Sequence, residues 1–349
     1  MRRKLLLLCL LVSAFIHVLA DEHRTVIISL DGCRWDYPLM YDTPNLDEIG
    51  KTGVNGIMQP SFPSLTFPNH YTLATGLVPD HHGIIGNTFY DKESGLTFSL
   101  GNKQTKQDPR FWGGEPIWIT AKKQGKKVGV VYWPGSDVAI QGTYPDYYFD
   151  YEKKPLLTFT ERIAEIEHML KMPEDKRPQL IMAYFDEPDH GMGRNSKQRI
   201  IHVKDYLDKN WYEKVTYGFP TMIAPKKGCE AKILKALQNV PHLRAYKKTE
   251  VPKYLNYGTN KNIDGIVVIT DIGFVTGEGD RVLNGNHGFD PTYGDMNVIF
   301  RAVGPDFKSG YTKDETFKNV NVYPLLNHLL GTTPAPCDGN VEEVKDLLK

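Results

Sequence analysis

Short runs of aliphatic and β-branched residues, each closed by Asp, Gly or Pro, recur along the chain: TVIISL at 25–30, VGVVY at 128–132, QLIMAYF at 179–185 and IVVIT at 266–270. Unbroken apolar runs of this length predict buried strands, as in a parallel sheet. Polar–apolar stretches with helix signals separate them. Thr43, Pro44 and Gly53 bracket one helix, Pro116 and Gly125 start and stop another, and Thr158 with Glu161 forms a capping box before ERIAEIEHML. Gly56–Gln59 reads as a brief strand. This alternation predicts an α/β fold with a doubly wound, mostly parallel sheet and helices on both faces. The second half is less regular, with strand-like pieces at 214–217, 221–224, 243–246 and 297–303 and helices at 229–237 and 322–330. No internal repeat or low-complexity tract interrupts it.

At 349 residues the chain can bury a large core as one α/β domain or divide into two. With 40% hydrophobic and 11% aromatic residues it is not a disordered chain. Lys+Arg and Asp+Glu both number 42, so bulk charge attracts neither a nucleic-acid polymer nor an anionic membrane. Arg2, Arg3 and Lys4 precede an apolar run from Leu5 to Ala20, with small residues suited to cleavage after Ala20. This reads as a secretory signal peptide over residues 1–20, with an uncleaved signal anchor as the alternative, and no later segment is apolar enough to cross a bilayer. The expected location is extracellular. Cleavage would leave Cys33, Cys229 and Cys337, which allow at most one intrachain bridge, and the chain contains no Asn-x-Ser/Thr acceptor.

The candidate chemistry centres on PSFPSLTFPNHYTLATG at 60–76. Pro68 suits the first turn of a helix and Gly76 the residue past its end, which places Thr66 and Phe67 at the positive end of the helix dipole. An anion such as phosphate is favoured there. Taken alone, Thr66 reads as an N-cap. Asp31 follows the first strand at the end where ligands bind in open α/β sheets, and Asp189, His190, Asp271 and His287 lie at strand ends or in loops beyond them. Carboxylate and imidazole groups around a hydroxyl are the components of a two-zinc phosphoryl-transfer site. His81 and His82, in a Gly-rich stretch, read as hydrogen-bonded structural residues.

The motifs ISLDG, PSFPSLTFPNHYTLATG, HGIIGNTFYD, YWPGSD, EPD, DHGMG, HGFD and FRAVGPDFK occur in this order. In wording and order they resemble those of the ecto-nucleotide pyrophosphatase/phosphodiesterase family, within the alkaline phosphatase superfamily. The resemblance implies an alkaline-phosphatase-like fold over residues 21–337, followed by a C-terminal tail at 338–349. It also implies zinc-dependent hydrolysis of phosphodiester or pyrophosphate bonds in a nucleotide or similar small molecule. By the same resemblance Asp31 is a ligand of one zinc, and Thr66 is both its ligand and the nucleophile that becomes phospho-threonine. His287 looks like a ligand of the other zinc and Asn87 a donor to a phosphate oxygen, while Phe67 and Tyr148 border the substrate pocket.

One departure stands out. The family usually separates an EPD aspartate, and a histidine four positions later, from an SDHGM motif by a helix and a strand, whereas here YFDEPD runs directly into DHGMG. Asp189 aligns with either motif and His190 with the second, so a segment is expected to be missing near 189–190. Asp271 then falls where the family has no ligand. Two zincs are expected from the family, with one site incomplete. Two alternative readings follow: a catalytically dead nucleotide-binding or decoy protein, and a choline-phosphodiesterase acting on lysophospholipids.

Overall fold

The computed structural model describes residues 24–189, 199–279 and 286–349. The leader at 1–20 and His190 lie outside them.

Four strands form an all-parallel sheet. They are β1 (Thr25–Leu30), β3 (Val128–Val131), β4 (Tyr147–Tyr148) and β5 (Leu180–Phe185), in the order β1-β5-β3-β4. In register, Thr25 sits opposite Leu180 and Leu30 opposite Phe185. This pairing brings residues 31–32 and 186–189, distant in sequence, to one edge. Every residue of β3 and β5 is buried, as a parallel sheet covered on both faces requires.

A second sheet pairs β2 (Val54–Gln59) antiparallel with a later strand at Val298–Ala302, and short strands at 311–312 and 317–318 extend β2 on its other side. The third is antiparallel: β6 (Tyr212–Thr216), β7 (Thr221–Pro225), β8 (Leu243–Lys247) and β9 (Ile266–Thr270) lie in the order β8-β9-β7-β6. The strand at Val298–Ala302 is β10. Helices α1 (Pro44–Thr52), α2 (Thr66–Thr75), α3 (Pro79–His82), α4 (Ile117–Lys123), α5 (Phe159–Lys171), α6 (Glu230–Leu237) and α7 (Val322–Leu330) complete the frame. The capping box of α5 is present in both halves, Thr158 to the Glu161 N–H and Glu161 back to the Thr158 N–H. α3 was not legible as a helix, and neither was the hairpin Thr88–Asp91/Leu96–Ser99.

The stretch read as a tail, 338–349, belongs to the core. Val344, Leu347 and Leu348 are buried in it, and the N–H groups of Asp338 and Gly339 donate to the Gly76 carbonyl at 2.8 and 3.2 Å. The Asp338 carboxylate accepts from the Val78 N–H at 2.8 Å and pairs with His81. Cys33, Cys229 and Cys337 are free thiols, and burial, opposed by Arg301, pushes the Cys33 thiol up to about 11.

Candidate active site

Helix α2 begins at Thr66 itself. Leu65 is the N-cap and makes no side-chain cap, Pro68 occupies the first turn, and Gly76 terminates the helix in the left-handed region at φ 67°. Thr66 is therefore the first helical residue and not the cap. Its hydroxyl donates to Asp31 Oδ2 at 3.2 Å. Asp31, only 7% exposed, is held at the end of β1, where its N–H donates to the Phe185 carbonyl at 2.9 Å. His70, one turn along α2, donates from Nδ1 to the Thr66 carbonyl at 2.7 Å and accepts from the Ser29 hydroxyl at 2.8 Å, which ties the helix start to β1.

Asn87 reaches the same place from the loop after α3: its Oδ1 accepts from the Phe67 N–H at 3.4 Å. With the amide oxygen engaged there, the amide N–H₂ group is the end free to act as donor.

Gly32 explains how Asp189 approaches. It sits at φ +69°, and a Cβ there would lie 2.7 Å from the Asp189 Cα, so only glycine lets the segment after β5 rest on the end of β1. Asp189 Oδ1 lies 3.1 Å from His287 Nε2, and the His287 Nδ1–H donates to the Ser64 carbonyl at 2.7 Å. Burial opposes protonation of His287, but the Asp189 carboxylate and the Ser64 carbonyl outweigh it and raise its pKa. Ser64 also fixes the HGFD loop, donating to the Phe289 carbonyl at 2.9 Å and accepting from the Gly288 N–H at 3.1 Å.

These groups open onto a cavity of about 540 Å³, whose lining includes Asp31, Thr66, Phe67, Asn87, Asp189 and His287. Aromatic walls come from Phe149, Tyr151, Tyr217 and Phe219. Tyr148 is not among the lining residues; it stacks on Tyr144 with ring centroids 4.8 Å apart and is 40% exposed. Because sides alternate along a strand, neighbours in sequence face opposite ways. Asp271 stands elsewhere, half-exposed beside His242 and Arg244.

Two polar lining residues had no sequence signal. Tyr184, inside the apolar run of β5, donates its hydroxyl to Asp31 Oδ2 at 2.7 Å, and burial together with the Asp31 charge keeps that phenol protonated well above its usual range. Lys106 is a buried cation paired with Glu152.

The donors Asp31 and Thr66 form one pair, and Asp189 and His287 another. Hydrogen bonding of Nδ1 to a carbonyl leaves Nε2 as the nitrogen a metal would use, and here that nitrogen faces Asp189. Yet among the described residues no group of three or more His, Cys, Asp or Glu side chains is placed to hold a metal ion. A zinc centre uses three or four protein ligands. The described donor set has the right chemistry and falls short in number.

Comparison with known proteins places this arrangement among relatives. A family model described as type I phosphodiesterase / nucleotide pyrophosphatase matches residues 25–189 and 188–290, in two pieces that meet at Pro188 and Asp189. Ectonucleotide pyrophosphatase/phosphodiesterase family member 5 of Homo sapiens is 32% identical over 382 residues, covering 94% of this chain and 78% of the relative. Family member 7 of Mus musculus is 31% identical, with 94% and 88% covered. Family member 3 of Bos taurus is 33% identical over 94% of this chain, which spans only 44% of that relative's length. Murine ectonucleotide pyrophosphatase/phosphodiesterase 5, solved as an inactive variant in complex with AMP, superimposes with a TM-score of 0.87 at 32% identity, covering 94% of this chain and all of that one.

Proposed function

The chain belongs to the ectonucleotide pyrophosphatase/phosphodiesterase family, and on that premise we propose that it hydrolyses phosphodiester or pyrophosphate bonds of a nucleotide, with Thr66 as the nucleophile. The observation that carries this reading is the Thr66 hydroxyl at the start of α2, facing the cavity and donating to Asp31 at 3.2 Å. In the proposed reaction Thr66 Oγ attacks phosphorus, its proton passes to Asp31, and the leaving oxygen departs, giving a phospho-threonine that water hydrolyses. Tyr184 shares the charge on Asp31 through its own hydrogen bond. The Asn87 amide and the dipole of α2 stabilise the phosphate oxygens, and Phe67 with the aromatic walls flanks the base.

Zinc in the family's manner would be held by Asp31 with Thr66 and by Asp189 with His287, lowering the pKa of the hydroxyl and neutralising phosphate charge. Its complement here is incomplete among the described residues. We propose further that the chain is exported, on the apolar run at residues 5–20. Among the described residues no helix is long and apolar enough to cross a membrane.

The shortage of ligands supports one second reading, a nucleotide-binding protein without turnover. Hydrolysis of a chromogenic nucleotide phosphodiester by the purified chain in zinc decides between them. Turnover that disappears in Thr66→Ala establishes the hydrolase; no turnover from a folded chain that still binds AMP establishes the binding protein.

A further inference from the structure

Asp186 lines the same cavity as Thr66 and Asp31, and the proposed reaction leaves it unused. It follows the end of β5 two residues after Tyr184, so alternation turns both side chains to one side, and both line the cavity. A carboxylate there opposes a phosphate ligand, whose charge it repels. The fold cancels that charge from behind.

The cancelling group is Arg162 of α5, which is buried. Its Nη1 donates to Asp186 Oδ1 at 2.7 Å and to the Tyr184 carbonyl at 2.9 Å, and its Nε donates to the Leu157 carbonyl at 3.2 Å. Three rings pack on the guanidinium, with the centroids of Tyr132, Phe159 and Phe185 at 4.9, 5.0 and 5.7 Å. A planar cation gripped on so many sides has one orientation, and it imposes one on Asp186. Tyr132 belongs to the same buttress. Its hydroxyl accepts from the Leu157 N–H at 3.1 Å, and its backbone stands in the left-handed region at φ 59°, which strains a bulky residue. Strain of this kind persists only where the surroundings impose it, and it gathers at ligand sites.

What the buttress holds in place is an acceptor. The bond from Arg162 goes to Oδ1, and a carboxylate has a second oxygen with lone pairs of its own. The Asp186 side chain is 24% exposed. Its place along the cavity identifies the donor it would meet. On one side is Tyr184, the hydrogen-bond partner of Asp31 at the phosphate end. On the other is Tyr151 of the aromatic wall, near enough that the Asp186 charge adds to burial in pushing up its phenol. Asp186 therefore stands between the groups assigned to the phosphate and those assigned to the base, where a ribose joins the two.

We propose that Asp186, braced by Arg162, is a specificity-determining residue that accepts a hydrogen bond from a ribose hydroxyl of the bound nucleotide. This rests on nucleotide binding in the cavity and not on turnover.

Isothermal titration of the purified full chain with AMP, with 2′,3′-dideoxy-AMP and with analogues bearing fluorine in place of one hydroxyl tests it. AMP should bind roughly tenfold or more tightly than the dideoxy analogue, because a site built around a hydroxyl leaves its charged acceptor unpaired when that hydroxyl is missing. Fluorine keeps much of the bulk and polarity but donates nothing, so the analogue altered at the recognised hydroxyl should weaken to a similar degree. In Asp186→Ala the preference for AMP over the dideoxy analogue should disappear, whereas a purely structural role would weaken both alike and leave their ratio intact. An unchanged ratio in the folded variant, or equal affinities of the unaltered chain for AMP and the dideoxy analogue, overturns the inference. Should the variant fail to fold, the fluorinated series decides on the unaltered chain, and analogues that all bind as tightly as AMP overturn it. Binding of no nucleotide by the folded chain removes the nucleotide reading itself, and this inference with it.

Discussion

His82 makes a buried acid sensor beneath α2, and its effect on stability can be worked out from its surroundings. The ring is fully buried. Its Nε2–H lies 3.1 Å from both the Pro68 carbonyl and the Thr72 hydroxyl of α2, and Nδ1 accepts from the Ile84 N–H at 3.2 Å, a set only the neutral imidazole satisfies. The Tyr71 ring packs edge-on at 5.0 Å, Asp80 is engaged by the N–H groups of Gly258, Thr259 and Asn260, and His81 adds like charge. Burial, the main cause, takes the pKa down to about 3 from 6.5, against the opposing pull of the Pro68 carbonyl.

The sign follows directly. A depressed folded pKa gives stability that is complete above 6.5 and is lost as pH falls toward about 3, because the unfolded state takes up the proton first. At about 1.36 kcal/mol per pH unit, pH 5 removes about 2 kcal/mol relative to pH 7. Replacing His82→Gln keeps a donor but leaves the Ile84 N–H without its acceptor, a loss of about 1–3 kcal/mol at pH 7. Urea denaturation of both proteins, followed by tryptophan fluorescence at constant ionic strength, should show that difference shrink by about 2 kcal/mol at pH 5. A difference that stays the same at both pH values refutes the reasoning.

Three further outcomes are expected. Gly32→Ala combines left-handed strain with a 2.7 Å clash against the Asp189 backbone; it should destabilise by at least about 2 kcal/mol in denaturant and weaken AMP binding in calorimetry. Arg162 is 2% exposed, donates to Asp186 at 2.7 Å and to the Tyr184 carbonyl at 2.9 Å, and sits over the Tyr132 ring. Arg162→Leu therefore strands the Asp186 carboxylate and should remove about 3 kcal/mol of stability by the same denaturation assay. If the described residues supply the whole ligand set, equilibrium dialysis should retain fewer than two tightly held zinc ions per chain, and two that survive a chelator would refute the expectation of an incomplete site.

The strands were legible because an unbroken apolar run has few other uses: β1, β3, β5 and β9 fall where TVIISL, VGVVY, QLIMAYF and IVVIT stand, within a residue or so. The start of α2 was legible from Pro68 and Gly76. What a one-dimensional reading could not supply was adjacency. Nothing local states that β1 pairs with β5, yet that pairing alone brings Asp189 over Gly32. Tyr184 was hidden because a tyrosine inside LIMAYF looks like core until its hydroxyl is traced to Asp31. Tyr148 failed to reach the cavity because it stacks on Tyr144 while Phe149 lines the wall. The stretch at 338–349 read as a tail because its apolar residues are few, and they are buried by neighbours already folded.

That last stretch sets a temporal order on the molecule. The carbonyl at the end of α2 is clamped by Asp338 and Gly339, and the Val78 amide by the Asp338 carboxylate. During synthesis the ribosome emits the whole PSFPSLTFPNHYTLATG motif long before codon 338 is read. Until then the nascent chain carries the hydroxyl on a helix whose far end is unfastened, so assembly of the site is one of the last events of biosynthesis. A premature stop after Lys308 but before that codon yields a product in which every recognisable motif is intact and the helix that presents Thr66 has lost its clasp.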